Sequence, residues 1–214
     1  MTGRPGANGM RSNLYSEQRF TNWSPHDPWW SEAKSIPTKM RPRAEVEFPS
    51  GASVPVFHRK LRDGFLRPWS FEDVLEVLRA VPHEHLYELQ SVYLMGGTAS
   101  QEKSRKVIFG EYSWLHIYLF PLPASKLTQR WKSMPKPNVV HEYTRFGALV
   151  TPLPNGAANL QFDESSLRLF TLYNTILHEI GHHVDRLGRS DNAERYADWY
   201  AQYQREHLQD AQSD

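Results

Sequence analysis

The pattern of apolar and polar positions changes along the chain and divides it into three parts. Residues 1–50 are rich in Gly, Pro, Ser, Asn and Arg and have no sustained period of 2 or 3.6. This predicts an extended, partly disordered N-terminal arm. A patterned domain is predicted over residues 51–210. Its earlier part has mostly short apolar runs, and its last third has helical periodicity.

The earlier part of the domain predicts one helix and several strands. Apolar residues recur at helical spacing over Phe71–Val81, between Ser70, a good N-cap, and Pro82, which ends a helix. The short link Ser113-Trp114 predicts a hairpin between two strands. The predicted strands are Val54–His58, Leu86–Met95, Lys106–Tyr112, Leu115–Leu119, Val139–Thr151 and Ala158–Phe162.

Two helices are predicted at the C-terminal end. Asp163 or Ser165 can cap the first, which runs to about Leu187, and the second runs from near Ser190 to about Leu208. A helix, then strands, then a helix pair predicts an α+β fold. In this fold a small, mainly antiparallel sheet packs with the two C-terminal helices.

The first C-terminal helix carries a motif with metal-ligand spacing, because residues 178–183 read HEIGHH and contain HExxH. His178 and His182 are one turn apart on one helix face, so both imidazoles can reach one tetrahedral zinc ion. Glu179 projects about 100° around the axis from His178, beside the metal, where a general base belongs. Chance alone gives this motif in about 3% of chains of such composition, so its context matters.

The context of the motif favours a chemical role. At 100° per residue, the apolar side chains of this helix fall in an arc from about 160° to 240°, away from the motif. They are Leu169, Tyr173, Ile176, Ile180, Val184 and Leu187. Gly181 removes bulk beside the histidines and lets another element approach. One face is therefore predicted to pack on the core and the other to gather polar groups.

A third metal ligand is required, and Glu194 lies near the start of the second helix. The linker LGRSDN lets the chain turn back, so that the second helix lies across the first and presents this carboxylate. Asp198 follows one turn later on the same face, as carboxylates that orient a ligand often do. In the alternative, Glu194 is the capping-box partner of an N-cap Asp191, and Asp198 is the third ligand.

HEIGHHVD followed by AERYADWYA resembles the gluzincin pattern of zinc metallopeptidases, in which a Glu on a second helix completes the metal site. The Glu-x-x-x-Asp spacing is similar to that of thermolysin-like enzymes. The short connection is more like the compact single-domain minigluzincins of bacteria. The resemblance is tight over Leu167–Tyr203, only architectural over residues 70–163, and does not cover residues 1–67.

The resemblance implies a zincin-like fold and a zinc-dependent metallopeptidase, a hydrolase that cleaves peptide or protein substrates. It implies that His178, His182 and Glu194 bind Zn²⁺. It also implies that Glu179 is the base and that Asp198 accepts the ring N–H of His178.

Other residues have less specific signals. An oxyanion stabiliser is expected outside the motif, and the sequence does not choose among Tyr143, His141, Tyr196 and Tyr200. An extended substrate is expected to pair with an edge strand, for which Ala158–Phe162 is the predicted segment. His183 is predicted to lie at the rim of the cleft or in solvent rather than on the metal.

Composition and charge add exclusions and one alternative. The chain has no cysteine, which excludes disulfides, thiolate ligands and a cysteine nucleophile. It has no apolar run of membrane-spanning length and no apolar signal segment, so we expect a cytoplasmic protein without a membrane partner. Net charge is only +1, but the part through Arg67 holds 11 Lys and Arg against 6 Asp and Glu. The alternative function is a catalytically silent zinc-binding regulatory or interaction module, tethered to nucleic acid by this basic arm.

Overall fold

A computed structural model describes residues 41–49, 51, 53–104, 106–186 and 190–210, with side chains through residue 208. Most of the predicted arm, residues 1–40, and the predicted helix end at Leu187 lie outside the described residues. Strands β1 to β10 are Ala44–Glu47, Ser53–His58, Phe65–Leu66, Ser91–Leu94, Gly110–Ser113, His116–Leu119, Leu122–Pro123, Thr128–Trp131, Leu149–Pro152 and Ala158–Gln161. Helices α1 to α6 are Phe71–Ala80, Ala99–Lys103, Pro137–Thr144, Glu164–Phe170, Ile176–Val184 and Ala193–Asp210.

The largest sheet is mixed and has the strand order β1-β2-β4-β6-β5. Its two central pairings are parallel and its two outer pairings are antiparallel. Parallel neighbours need a crossover connection, which α1 supplies between β2 and β4. The α+β class is therefore confirmed, but this sheet is mixed rather than mainly antiparallel. A separate antiparallel sheet has the order β8-β10-β9, and β3 pairs with β7.

Local signals in the sequence located several elements correctly. The hydroxyl of Ser70 accepts the N–H of Asp73 at 3.0 Å, and the Asp73 carboxylate accepts the N–H of Ser70 at 2.7 Å, so α1 begins as predicted. The predicted hairpin joins β5 and β6 through Trp114 and Leu115, whose φ angles of 52° and 66° fit a two-residue turn. β10 also lies within its predicted segment.

Several predicted segments differ from the structure, and two of the differences affect the architecture. Strand β1 comes before residue 51, so the main sheet begins inside the segment predicted as an arm. The predicted strand Val139–Thr151 is wrong in its first half, because Pro137 begins helix α3. Proline is well suited to the first helical turn. Val139 and Tyr143, one turn apart, are both buried.

The described residues form two main apolar cores. The first lies between the five-stranded sheet and α1, α5 and α6. The second is formed by α3, α4 and residues of the three-stranded sheet. Helices α4 and α5 are joined by a π-helical turn, Thr171–Thr175, which carries the chain from one core to the other.

The π-helical turn explains one wrong prediction about the helix face. Leu169 was expected on the apolar face with Ile176 and Ile180, but it is exposed, while both isoleucines are fully buried. A π turn has a wider hydrogen-bonding pattern than an α-helix, so a projection at 100° per residue does not hold across it. Within the described part of the chain, no helix has the length and apolarity that a bilayer span requires.

Candidate metal centre

Helices α5 and α6 approach each other closely at Gly181. A Cβ atom at this position would lie 2.7 Å from Cα of Ala197 and 3.1 Å from Cβ of Tyr200. Such contacts are too short for real side chains, so the separation of the helices depends on the glycine. The prediction that Gly181 lets another element approach the histidines is confirmed.

The helix contact brings the three predicted ligands together. Nε2 of His178 lies 3.5 Å from Oε2 of Glu194, and Nε2 of His182 lies 3.5 Å from Oε1 of the same carboxylate. The two Nε2 atoms are 3.1 Å apart. One ligand atom from each residue falls within 4.8 Å of the others. We refer to these three residues as the HHE cluster; two imidazoles and a carboxylate fit the donor preference of zinc.

Asp198 orients the first histidine of the HHE cluster. Its Oδ1 lies 3.0 Å from Nδ1 of His178. With Nδ1 on this carboxylate, Nε2 of the ring faces His182 and Glu194, which is how metal-binding histidines are commonly held. The start of α6 is capped by Asn192, whose Oδ1 accepts the N–H of Arg195 at 3.0 Å, and not by Asp191 as in the alternative that made Glu194 a capping-box partner.

Burial and mutual charge shift the pKa values of the HHE cluster in different directions. Burial lowers the pKa of His178, but hydrogen bonds with Asp198 and Glu194 outweigh it and raise the pKa to about 9. Burial and the adjacent charge of His178 lower the pKa of His182 to about 4. Burial raises the pKa of Glu194, but the two histidines outweigh it and the net shift is downward. Metal binding would require both imidazoles to be neutral, so it would release any proton held by His178.

Glu179 lies beneath the edge strand β5. A Cβ on Gly110 would be 2.9 Å from Oε1 of Glu179, so the strand can lie this close because it has no side chain there. The carboxylate accepts the backbone N–H of Tyr112, and the residue is only 4% exposed. Burial raises the pKa of Glu179 to about 7; His178 opposes this rise, and the charges of Glu194 and Glu111 add to it. A carboxyl group with this pKa can both take and return a proton near neutral pH.

The strand beside the motif helix is β5 and not the predicted Ala158–Phe162. β10, which occupies that segment, is the central strand of its sheet and pairs on both sides. β5 pairs only with β6 in the five-stranded sheet and packs against α5. The order of strands in a sheet depends on contacts between distant segments. The strand nearest to the motif in sequence was therefore the wrong prediction for the edge strand.

His183 is fully buried, so its predicted position at the rim of the cleft or in solvent is wrong. Its Nε2 is 2.8 Å from the carbonyl oxygen of Tyr87, to which it donates, and Nδ1 is 3.2 Å from the hydroxyl of Tyr112. Burial lowers the pKa of His183, which favours the neutral ring that these two bonds require. The residue therefore ties α5 to β5 and to the segment before β4.

The four candidate oxyanion stabilisers occupy different surroundings. Tyr143 stacks on Phe170 in the second core, at 5.1 Å between ring centroids. His141 is exposed on α3. The hydroxyl of Tyr200 is 2.9 Å from Nδ1 of His85. Tyr196 is half-buried on α6, two residues after the glutamate of the HHE cluster, and is the candidate nearest to it along the chain.

Sequence reasoning missed two carboxylates around the centre. Asp185 ends α5 and accepts the backbone N–H of Ser190 at 3.0 Å as well as its hydroxyl, which closes the turn between α5 and α6. An Asp followed at short range by Ser in a turn was a readable signal for this contact. Glu111 acts on Glu179 through its charge. No local signal identifies it, because the contact depends on how β5 packs against α5.

No protein-family model matches this chain, and no curated protein or solved structure matches it either.

Proposed function

We propose that this chain is a zinc-dependent metallopeptidase of the gluzincin type, similar to the compact minigluzincins. The observation that carries the proposal is the convergence of His178, His182 and Glu194 next to a buried Glu179. A purely structural site has no use for a buried carboxylate beside its ligands. Three protein ligands also leave a coordination position open, as in catalytic zinc sites.

Each residue of this site would have a separate role. When bound, zinc supplies Lewis acidity to a carbonyl group and to water. His178, His182 and Glu194 would hold it. Asp198 holds His178 in the orientation that points Nε2 at the metal.

Glu179 would move the proton. Its buried carboxylate can take a proton from the attacking water at Oε and return it to the leaving amine. The N–H of Tyr112 fixes the carboxylate in place against β5. The raised pKa of Glu179 supports this role, because a normal carboxylate is a weak base at neutral pH.

An extended peptide chain is the proposed substrate form. In the antiparallel pair β5–β6, Phe109 bonds to Phe120 across the ladder, so main-chain groups of alternate residues face the partner strand. The intervening residues Gly110 and Tyr112 therefore turn their main-chain groups to the outer edge, where the N–H of Tyr112 donates to Glu179, so a peptide would pair through the main-chain groups of Gly110. A peptide that pairs there would lie directly over Glu179.

Elemental analysis of the purified chain tests the proposal. We expect near-equimolar zinc in the wild type and its loss in Glu194→Ala. The matched control is Glu206→Ala, which removes an exposed carboxylate from the same helix and should keep the metal. Absence of zinc from the wild type after metal is supplied would exclude the proposed enzyme. Zinc binding without hydrolysis of any peptide in a broad library would favour the silent zinc-binding module.

A further inference from the structure

Three basic side chains meet at the end of strand β2, far along the chain from the HHE cluster. The Nδ1 atom of His58 is 2.7 Å from Nη1 of Arg43, and its Nε2 atom is in hydrogen-bond contact with Nη2 of Arg67. We call Arg43, His58 and Arg67 the basic cluster. The two guanidinium groups thus lie on opposite nitrogens of one imidazole ring.

The basic cluster has more hydrogen-bond donors than acceptors. A guanidinium group only donates, and a neutral imidazole has one N–H and one lone pair. His58 can therefore accept a hydrogen bond from only one of the two arginines, and the other arginine faces the N–H of the ring. If the ring were protonated, neither arginine would be accepted. The guanidinium N–H of at least one arginine therefore points at a ring nitrogen that cannot accept a hydrogen bond from it.

Packing holds both guanidinium groups where they are. Arg67 donates to the carbonyl oxygens of Arg59 and Met95 at 3.2 and 3.4 Å and lies over the buried ring of Trp69. Arg43 lies over the ring of Phe71, and His58 stacks on the same ring. The cluster is thus built into the protein around these aromatic rings, rather than formed by loose surface side chains.

The carboxylates in the described part of the chain do not neutralise the cluster. Among the described residues, Glu72 is the carboxylate that forms an ion pair with it, at 3.9 Å from Arg43, and this side chain is 67% exposed. Asp73, the next residue, is already occupied by Arg168 at 2.6 Å. Both acidic residues belong to the first turn of α1, where they also offset the partial positive charge of the helix N-terminus.

We infer that the basic cluster is a binding site for a phosphate group. A phosphate dianion balances the two arginine charges and supplies several acceptor oxygens to donors that approach from different sides. Guanidinium groups are the side chains best matched to such oxygens. Burial and the two arginine charges lower the pKa of His58, which favours the neutral ring, so the positive charge of the cluster comes from the two arginines. This inference is independent of the proposed peptidase activity.

Titration of the full-length chain with inorganic phosphate, followed by the side-chain ¹⁵N signals of His58 and the arginines, tests this inference. Ionic strength is held constant with chloride. We expect saturable shifts at His58 and Arg67, with affinity reduced at least about tenfold in Arg43→Gln and Arg67→Gln. Arg79→Gln, at the exposed C-terminal end of α1, is the matched control, and this variant should bind phosphate within about twofold of wild type. Phosphate that binds at the HHE cluster would shift His178 and leave His58 unchanged.

Equal phosphate affinity in Arg43→Gln, Arg67→Gln and Arg79→Gln would overturn the inference, as would identical shifts with chloride alone. Arg67 is half-buried, so its variant requires a check of folding by circular dichroism. Arg43 is exposed, and its variant provides the test if the Arg67 variant fails to fold. Phenyl phosphate is the second ligand to titrate: tighter binding than inorganic phosphate assigns the site to phosphate esters, and equal or weaker binding assigns it to the free ion.

Discussion

The HHE cluster and the basic cluster both surround histidine, but with opposite partners. In the HHE cluster, the ligand atoms of two imidazoles and a carboxylate converge. In the basic cluster, N–H groups of two arginines converge on a ring that can accept only one. The first arrangement suits a cation and the second an anion. An excess of acceptors therefore indicates a cation as ligand and an excess of donors an anion, even though both sites contain histidine.

The largest expected effect comes from the base beside the HHE cluster. In Glu179→Gln the side chain keeps its shape but can no longer take a proton, so kcat/KM for peptide hydrolysis should fall by about 10² to 10⁴. Zinc content should be unchanged, because Glu179 is not among the converging ligand atoms. The control is Glu164→Gln, an exposed carboxylate on α4. Hydrolysis at the wild-type rate in Glu179→Gln would refute the assignment of the base.

A smaller loss, of zinc affinity, is expected when His178 loses the carboxylate of Asp198. Asp198→Ala leaves the three converging ligands in place but frees the ring of His178 to rotate. Zinc affinity, measured by competition with a chelator, should fall by about 10- to 100-fold. Phosphate affinity at the basic cluster should stay unchanged. A complete loss of zinc, as severe as in Glu194→Ala, would instead favour Asp198 as a direct ligand.

A third change acts on the backbone contact that assembles the HHE cluster. Gly181→Ala puts a methyl group 2.7 Å from Cα of Ala197, so α5 and α6 must separate. Overpacking of this kind costs about 1–3 kcal/mol, which the urea midpoint would report. Zinc should bind more weakly while phosphate binding persists. Gln202→Ala, on the exposed side of α6, should change stability by less than about 0.5 kcal/mol. Unchanged stability in Gly181→Ala would show that the helix contact is not tight.

The smallest expected effect concerns Asp73, a carboxylate close to the basic cluster but already paired. The hydrogen bond from Arg168 is the main cause that lowers the pKa of Asp73 from 3.8. Because the folded-state pKa is the lower one, the stabilisation is complete above about pH 4 and is lost as pH falls through the folded value. Asp73→Asn should cost about 1 kcal/mol near pH 7 through the weakened helix cap and ion pair.

Urea unfolding at several pH values between 3 and 7 measures this effect. The difference between wild type and Asp73→Asn should shrink toward the acidic end, since protonated Asp73 resembles the variant. Glu76→Gln, which changes an exposed carboxylate on the same helix α1, is the control. A difference that stays constant with pH would contradict the role of the Asp73 charge.

The HHE cluster could be predicted from sequence because most of its geometry is local. His178 and His182 are one turn apart on a helix, and Glu194 follows after a short linker, so helical geometry and one reversal of the chain suffice. The buried position of His183 could not be predicted in this way. Its partners, Tyr87 and Tyr112, lie 96 and 71 residues away. A polar residue whose partners come from distant segments looks solvated in the sequence.

Strand order and the basic cluster were hidden for the same reason. The parallel pairings of β4 join segments separated by whole elements, and no local pattern states which strand becomes the edge. Arg43, His58 and Arg67 come from three separate segments that only the folded sheet brings together. The basic character of this part of the chain was visible, but composition alone cannot distinguish a built site from solvated charge.

The π-helical turn Thr171–Thr175 makes the number of residues before the motif important. The wider turn sets the angular phase of α4 separately from that of α5, so Phe170 packs in the second core and Ile176 in the first. Asn174, within the turn, donates to the buried carboxylate of Glu142 at 3.1 Å. Inserting one residue here would rotate α4 by about 100° relative to α5, whereas deleting one residue would restore a regular α-helix with little change in the relative phase of the two helices. After an insertion, one of the two cores would lose its apolar face, so this segment should tolerate substitution far better than insertion.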